Sequence, residues 1–143
     1  MNTVWVKVHD KTLRIRGHCD GVTEPKGYEI KSIGMRGAAK LTSPKAAHRR
    51  QATLYGKILG LDSIIYLYIN KETGELEEFE KDIEKDMWTK MATRAQNIVN
   101  TVEEGKLPPR PASTSECGEC KYQWVCKPSM KSGKKPSFRR YGK

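Results

Sequence analysis

The chain has 143 residues, the size of one ordinary domain: long enough to bury a core, too short for two. Its balance is basic, 27 Lys and Arg against 17 Asp and Glu for a formal net charge of +10, with a pI of about 9.5 and a mean hydropathy of -0.73. Such an excess attracts polyanions, either nucleic acid or an anionic membrane surface. No apolar run approaches the roughly 18 residues a membrane span needs and no leader-like segment opens the chain, so nucleic acid is the expected partner and no membrane is expected.

In chain order, residues 3–8 and 12–20 alternate like strands around a turn at His9-Asp10-Lys11. Thr23-Glu24-Pro25-Lys26-Gly27 combines Pro and Gly as turns demand, and a third strand runs from Tyr28 to Ile33. Gly34 to Gly37 is expected to be a loop. A helix then starts with Ser43 as N-cap and Pro44 at its first position, closes at Gly60, and buries a stripe of Ala47, Leu54, Ile58 and Leu61. Ser63 to Ile69 is β-branched and aromatic, a buried strand, and Leu76 to Glu80 is an edge strand after the Thr73-Gly74 turn. Ile83, Met87, Met91, Ala95, Ile98, Val99 and Val102 recur at helical steps between about Asp82 and Glu104, a stripe suited to core packing. The expected architecture is α/β, a small mixed sheet flanked by two helices with a C-terminal cysteine knot. Residues 1–106 form the core, 107–130 the knot and 131–143 a basic tail.

Side chains two apart in a strand share a face. Arg14, Arg16, His18 and Asp20 therefore share one face, opposite the apolar Leu13, Ile15 and Cys19, while Glu29 and Lys31 share a face of the next strand. If the two strands pair as a hairpin, Asp20, Glu29 and Lys31 converge on its polar side. Carboxylates are hard ligands suited to Mg²⁺ or Mn²⁺. Such an ion polarises a phosphate and activates water, the carbonyl of Ile30 can add a ligand, and Lys31 can orient the water. A charged, solvent-facing hairpin would give the same bare pattern; the apolar strands around the triad and the basic helix after it favour the site.

Gly17-His18-Cys19-Asp20-Gly21, Tyr28-Glu29-Ile30-Lys31-Ser32 and Gln51-Ala52-Thr53-Leu54-Tyr55 resemble, in order and spacing, the aspartate strand, the E-x-K strand and the helical Q-x-x-x-Y motif of PD-(D/E)xK nucleases of the RecB-like kind. The stretch from Gln51 to Tyr68 is similar to phage and CRISPR-associated exonucleases of that family. The resemblance implies metal-dependent DNA hydrolysis, exonucleolytic and used in DNA processing, recombination or repair, inside a bacterial or phage-infected cell. It implies Asp20, Glu29, Lys31 and Gln51 as catalytic residues, with Asp20, Glu29 and Ile30 on the metal and Tyr55 on the substrate. His48 and Arg49, beside Gln51, are either phosphate contacts or part of a solvated basic face.

Three of the four cysteines fall within ten residues, a clustering that suits a metal and a reducing, cytoplasmic setting better than disulfides. Cys117, Cys120 and Cys126 resemble the C-terminal cysteines that bind a 4Fe–4S cluster in part of the family; Zn²⁺ suits thiolates equally. Cys19 is expected to be a small core residue, and His9 or His18 is a less favoured fourth ligand. The resemblance also implies a leading helix with a further Glu or His metal ligand and a first cluster cysteine. The sequence shows neither, so a partner chain or second subunit is expected to supply them; otherwise the chain is a nuclease-deficient DNA-binding subunit. The tail carries Lys131, Lys134, Lys135, Arg139, Arg140 and Lys143 with Phe138 and Tyr141 among them, a composition that fits either a phosphate-tracking segment or a solubilising one.

Overall fold

Turn chemistry sets the order of the strands. The computed structural model describes residues 2–108, 120 and 121, and the chain divides into two units, Met1–Pro108 and Pro109–Lys143, with the sheet and helices in the first. Strand β1 (Asn2–Asp10) returns as β2 (Ile15–Thr23) after a turn in which the Leu13 N–H donates to Asp10 Oδ1 at 2.8 Å. A second, tighter hairpin through Glu24 and Pro25 leads into β3 (Lys26–Ile33), so the predicted five-residue turn gives up Lys26 and Gly27 to the strand.

The expected loop at Gly34–Gly37 is instead one turn of helix, α1 (Met35–Ala38), closed by the Ala38 N–H on the Gly34 carbonyl at 2.9 Å. Helix α2 (Ala46–Leu59) starts later than the Ser43-Pro44 signal predicts: its N-cap is Lys45, Pro44 is buried, and the Lys45 N–H donates to the Tyr68 hydroxyl at 3.0 Å. A tertiary bond to the sheet thus overrides the local cap. At the other end Gly60 takes the left-handed conformation expected of it, φ 72°, and the Leu61 N–H reaches back to the Gly56 carbonyl. Strand β4 (Ser63–Asn70) is buried along most of its length, and β5 (Leu76–Asp82) is an exposed edge. Helix α3 (Lys85–Glu103) completes the unit.

The five strands lie in chain order, β1-β2-β3-β4-β5, antiparallel except for the parallel pair β3–β4. A parallel pair needs a crossover, and α1 and α2 supply it. The core is Val8, Cys19, Val22, Ile33, Ala52, Leu61, Ile64, Tyr66 and Tyr68. Helix α2 faces it with small residues: Ala52, Thr53 and Gly56 are buried, whereas Ala47 of the predicted stripe is exposed. The reason is close approach. A Cβ on Gly56 would lie 2.4 Å from Ile83 Cδ1 and 3.0 Å from Ile64 Cδ1. On α3 only Val99 is buried, and Ile98 and Val102 are exposed, so the stripe read as core is only partly covered among the described residues. The mixed α/β class holds. The predicted knot and tail lie outside the described residues, apart from Cys120, whose thiol is exposed and unbridged.

Candidate active site

Strand β2 pairs with β1 at every residue but Asp20, and β3 with β4 along all of its own length. Between themselves β2 and β3 pair only at Gly21–Tyr28, Val22–Gly27 and Thr23–Lys26. Beyond those pairs the ladder opens into a fork, so the two strands pair as a hairpin only at the turn end. Asp20 stands where it opens: the Ile30 N–H, with no strand opposite it, donates to Asp20 Oδ2 at 2.7 Å. The N–H and C=O of one strand residue point to the same side, so the Ile30 carbonyl also faces the gap.

Glu29 and Lys31 lie on the face of β3 that α2 covers. In the parallel register Glu29 sits beside Tyr66 and Lys31 beside Tyr68. The polar-side placement read from alternation is therefore corrected for Glu29, whose side chain is 1% exposed. Burial pushes its carboxyl above the ordinary range; the hydrogen bond and charge of Lys31 pull it down, and Asp20 pushes it up again. Lys31 Nζ ion-pairs with Glu29 Oε1. Burial lowers the Lys31 ammonium, but Glu29, Asp20 and Tyr55 together outweigh it and hold the group above its ordinary value. The charges of Asp20, Glu29 and Lys31 are thus close enough to govern one another.

The donor set suits a divalent cation. Glu29 Oε1 is enclosed and takes no hydrogen bond of regular geometry, and Asp20 has committed one oxygen to Ile30, leaving the other without a hydrogen bond among the described residues. No group of three His, Cys, Asp or Glu side chains that could hold a metal occurs among the described residues. An ion here would rely on the Asp20 and Glu29 carboxylates, the Ile30 carbonyl, water and substrate phosphate oxygens, as Mg²⁺ commonly does.

Helix α2 lays Tyr55 over Gly17, where a Cβ would lie 2.4 Å from the phenol oxygen; only glycine leaves room for the ring. Gln51, one turn earlier, lines a groove with Ile15, Leu54, Met91 and Ala95. His48 Nδ1 lies 2.8 Å from the Tyr68 hydroxyl. That hydroxyl also accepts from the Lys45 N–H, and its bond with Nδ1 runs in the direction set by the imidazole tautomer. Burial, then the charges of Lys31 and Lys45, hold His48 below its ordinary value, in keeping with a neutral ring. Arg49 pairs with Glu84 at 3.2 Å. Cys19 is the core residue expected of it: its thiol donates to the Gly21 and Tyr28 carbonyls, and burial raises its pKa. Tyr68 and Gly17 were missed as functional positions. A tyrosine repeated at i and i+2 in an Ile-rich strand was the available signal for the first.

Two carboxylates and an ammonium at a gap in a mixed sheet are the chemistry that metal-assisted phosphodiester hydrolysis uses. The chain belongs to the PD-(D/E)XK nuclease superfamily, whose profile matches residues 2–127. That superfamily consists in general of metal-dependent nucleases acting on DNA. The crystal structure of SSO0001 is similar in fold, with a TM-score of 0.60 at 17% sequence identity over 90% of this chain, which spans 61% of that one. No curated protein matches the chain. Among the described residues no helix is long and apolar enough to cross a membrane.

Proposed function

We propose that the chain is a Mg²⁺- or Mn²⁺-dependent deoxyribonuclease of the RecB-like type, exonucleolytic and used in DNA processing, recombination or repair. The observation that carries this reading is the fork: Asp20 binds the freed Ile30 N–H beside a buried Glu29 that ion-pairs with Lys31. A divalent cation held by Asp20, Glu29 and the Ile30 carbonyl would polarise the scissile phosphate and acidify the attacking water. Lys31, kept protonated by its carboxylate neighbours, orients that water and offsets charge building on the phosphoryl oxygens. In its Nε2-protonated tautomer His48 offers that N–H to a phosphate oxygen, and Tyr55, with Gln51 behind it on α2, supports the substrate. Arg49 pairs with Glu84 through Nη1 and keeps its other donors for a phosphate contact.

The absence of a third acidic or imidazole ligand among the described residues favours a refinement, in which a partner chain completes the metal site. Cys117, Cys120 and Cys126 belong to the same reading as ligands of a 4Fe–4S cluster or Zn²⁺, distinguished by visible absorption after anaerobic purification. The test is cleavage of single- and double-stranded DNA with Mn²⁺ by wild type and Asp20→Ala. Cleavage lost in the variant supports the fork as the site, and equal cleavage by both removes it. A wild type that binds DNA yet cleaves neither substrate would point to the non-enzymatic subunit.

A further inference from the structure

The β1–β2 ribbon forms one arm of the fork, and its two faces differ. Val8 and Gly17 pair across it and turn toward α2. Lys7 pairs with His18 and His9 with Arg16, so these four side chains share the opposite face with Trp5, and all five are exposed. The register passes from Val4–Gly21 to Val6–Cys19 without a Trp5 partner, which places Trp5 across from Asp20 but out of the ladder. Trp5 also has φ 53°, a left-handed conformation that is costly for a bulky residue and persists mainly where function needs it. Its ring, 72% exposed, meets the His18 ring at a centroid distance of 5.2 Å. The fold gains little from such a ring.

Charge points the same way. Lys7 and Arg16, like most of the described cations, have no ion-pair partner among the described residues, but these two stand together with two histidines on one face. A hollow lined by Lys7, His9, Arg16 and His18, with Val8 and Gly17 between them, opens on the ribbon. A row of unpaired cations with an aromatic platform at its end is what unpaired nucleotides bind: phosphates on the cations, a base on the ring.

We propose that this face of the ribbon is a track for a single-stranded segment of the substrate, with Lys7 and Arg16 on successive phosphates and a base stacked on Trp5 beside Asp20. The inference rests on the nuclease reading for its direction, since the track ends at the fork. It also supplies a substrate class: ends or stretches of nucleic acid with free bases.

The experiment is anisotropy titration of the full chain, with Ca²⁺ in place of Mg²⁺, using a labelled oligothymidylate of about 20 nucleotides and a duplex of the same length. Trp5→Ala should weaken single-strand binding about 5- to 100-fold and duplex binding much less, while Trp5→Phe keeps most of the affinity. The double variant Lys7→Ala/Arg16→Ala should flatten the salt slope of single-strand binding by about 1.4, roughly 0.7 per phosphate contact. An unchanged slope, or a Trp5→Ala loss equal on both nucleic acids, overturns the proposal. Both sets of side chains are exposed, so circular dichroism should confirm that the variants fold. Wild type that cleaves with Mn²⁺ while the ribbon variants bind normally sinks the track alone; binding through Trp5 without cleavage sinks the nuclease reading alone.

Discussion

Lys26 and Lys31 stand near opposite ends of β3, and each is paired with a glutamate, Lys26 with Glu80 at 2.9 Å and Lys31 with Glu29. The first pair is 42% and 43% exposed, and Glu80 also accepts from the Ser63 hydroxyl at 2.7 Å. The hydrogen bond from Lys26, then the one from Ser63, holds the Glu80 carboxyl below its ordinary range. Glu29 has an equally direct partner yet goes the other way, because burial under α2 outweighs the attraction. An exposed pair is free to form and is worth little, while a buried one costs desolvation that packing alone would avoid. Such an arrangement at the point where the sheet opens is what the proposed catalytic role would require.

Lys31→Ala should show the largest effect. Removing a cation aimed at developing charge typically costs about 10²–10³ in rate, so Mn²⁺-dependent cleavage should fall by that order while DNA affinity stays close to wild type. Stability should fall too, by less than the roughly 3–5 kcal/mol seen when a fully buried pair loses one member, because Lys31 is 27% exposed. Undiminished cleavage would separate the buried pair from the reaction.

The second prediction uses the opposite pKa shifts. Glu29 is raised, so its contribution to stability is full below the ordinary value of 4.5 and is lost as pH rises through its shifted value. Without metal, Glu29→Gln should therefore melt higher than wild type at neutral pH, and the gain should vanish below about pH 4.5. Glu80 is lowered, so its contribution is present above 4.5 and lost as pH falls through its own value. Metal reverses the ranking: Mn²⁺ at about 100 times its dissociation constant should stabilise wild type by roughly 2.7 kcal/mol and leave Glu29→Gln unmoved. Thermal melting across pH, with and without Mn²⁺, checks both halves. An equal response of the two proteins to Mn²⁺ would remove Glu29 from the metal.

Gly17→Ala comes next. Its Cβ would press on the Tyr55 phenol at 2.4–2.7 Å, and overpacking of this kind typically costs about 1–3 kcal/mol. Cleavage should drop as the ring moves off the fork arm. A double-mutant cycle with Tyr55→Leu reads the cause: the melting penalty should shrink when the ring is gone, and a penalty that persists would place the strain in the strand itself.

These side chains differ in how far the sequence exposes them. Strand β4, the edge at β5 and the Gly60 stop could all be read from alternation and punctuation, because those signals are local; Asp20, Glu29 and Lys31 were singled out by the likeness of three spaced motifs to a known family. The fork could not: alternation tells which face a side chain takes, not where a ladder stops. Glu29 was placed with the polar residues for that reason, since its burial comes from α2 and from its non-local register with Tyr66. The late start of α2 has the same origin, a Tyr68 hydroxyl reaching Lys45 from a strand not yet made. Tyr55 over Gly17 joins two motifs that were legible separately, but not their contact.

The smallest effect should come from the control at the other end of β3. Lys26→Met/Glu80→Gln removes the exposed pair together with its pKa shifts, yet both groups keep access to water and neither faces the fork. Cleavage and DNA affinity should match wild type, and melting should move least among the variants, by a small loss at neutral pH that disappears as pH falls through the Glu80 pKa. Sensitivity at neutral pH comparable to that of Lys31→Ala would mean that strand β3 tolerates no charge loss anywhere. The contrast between its two pairs would then reflect the fragility of one strand rather than a site at one end of it.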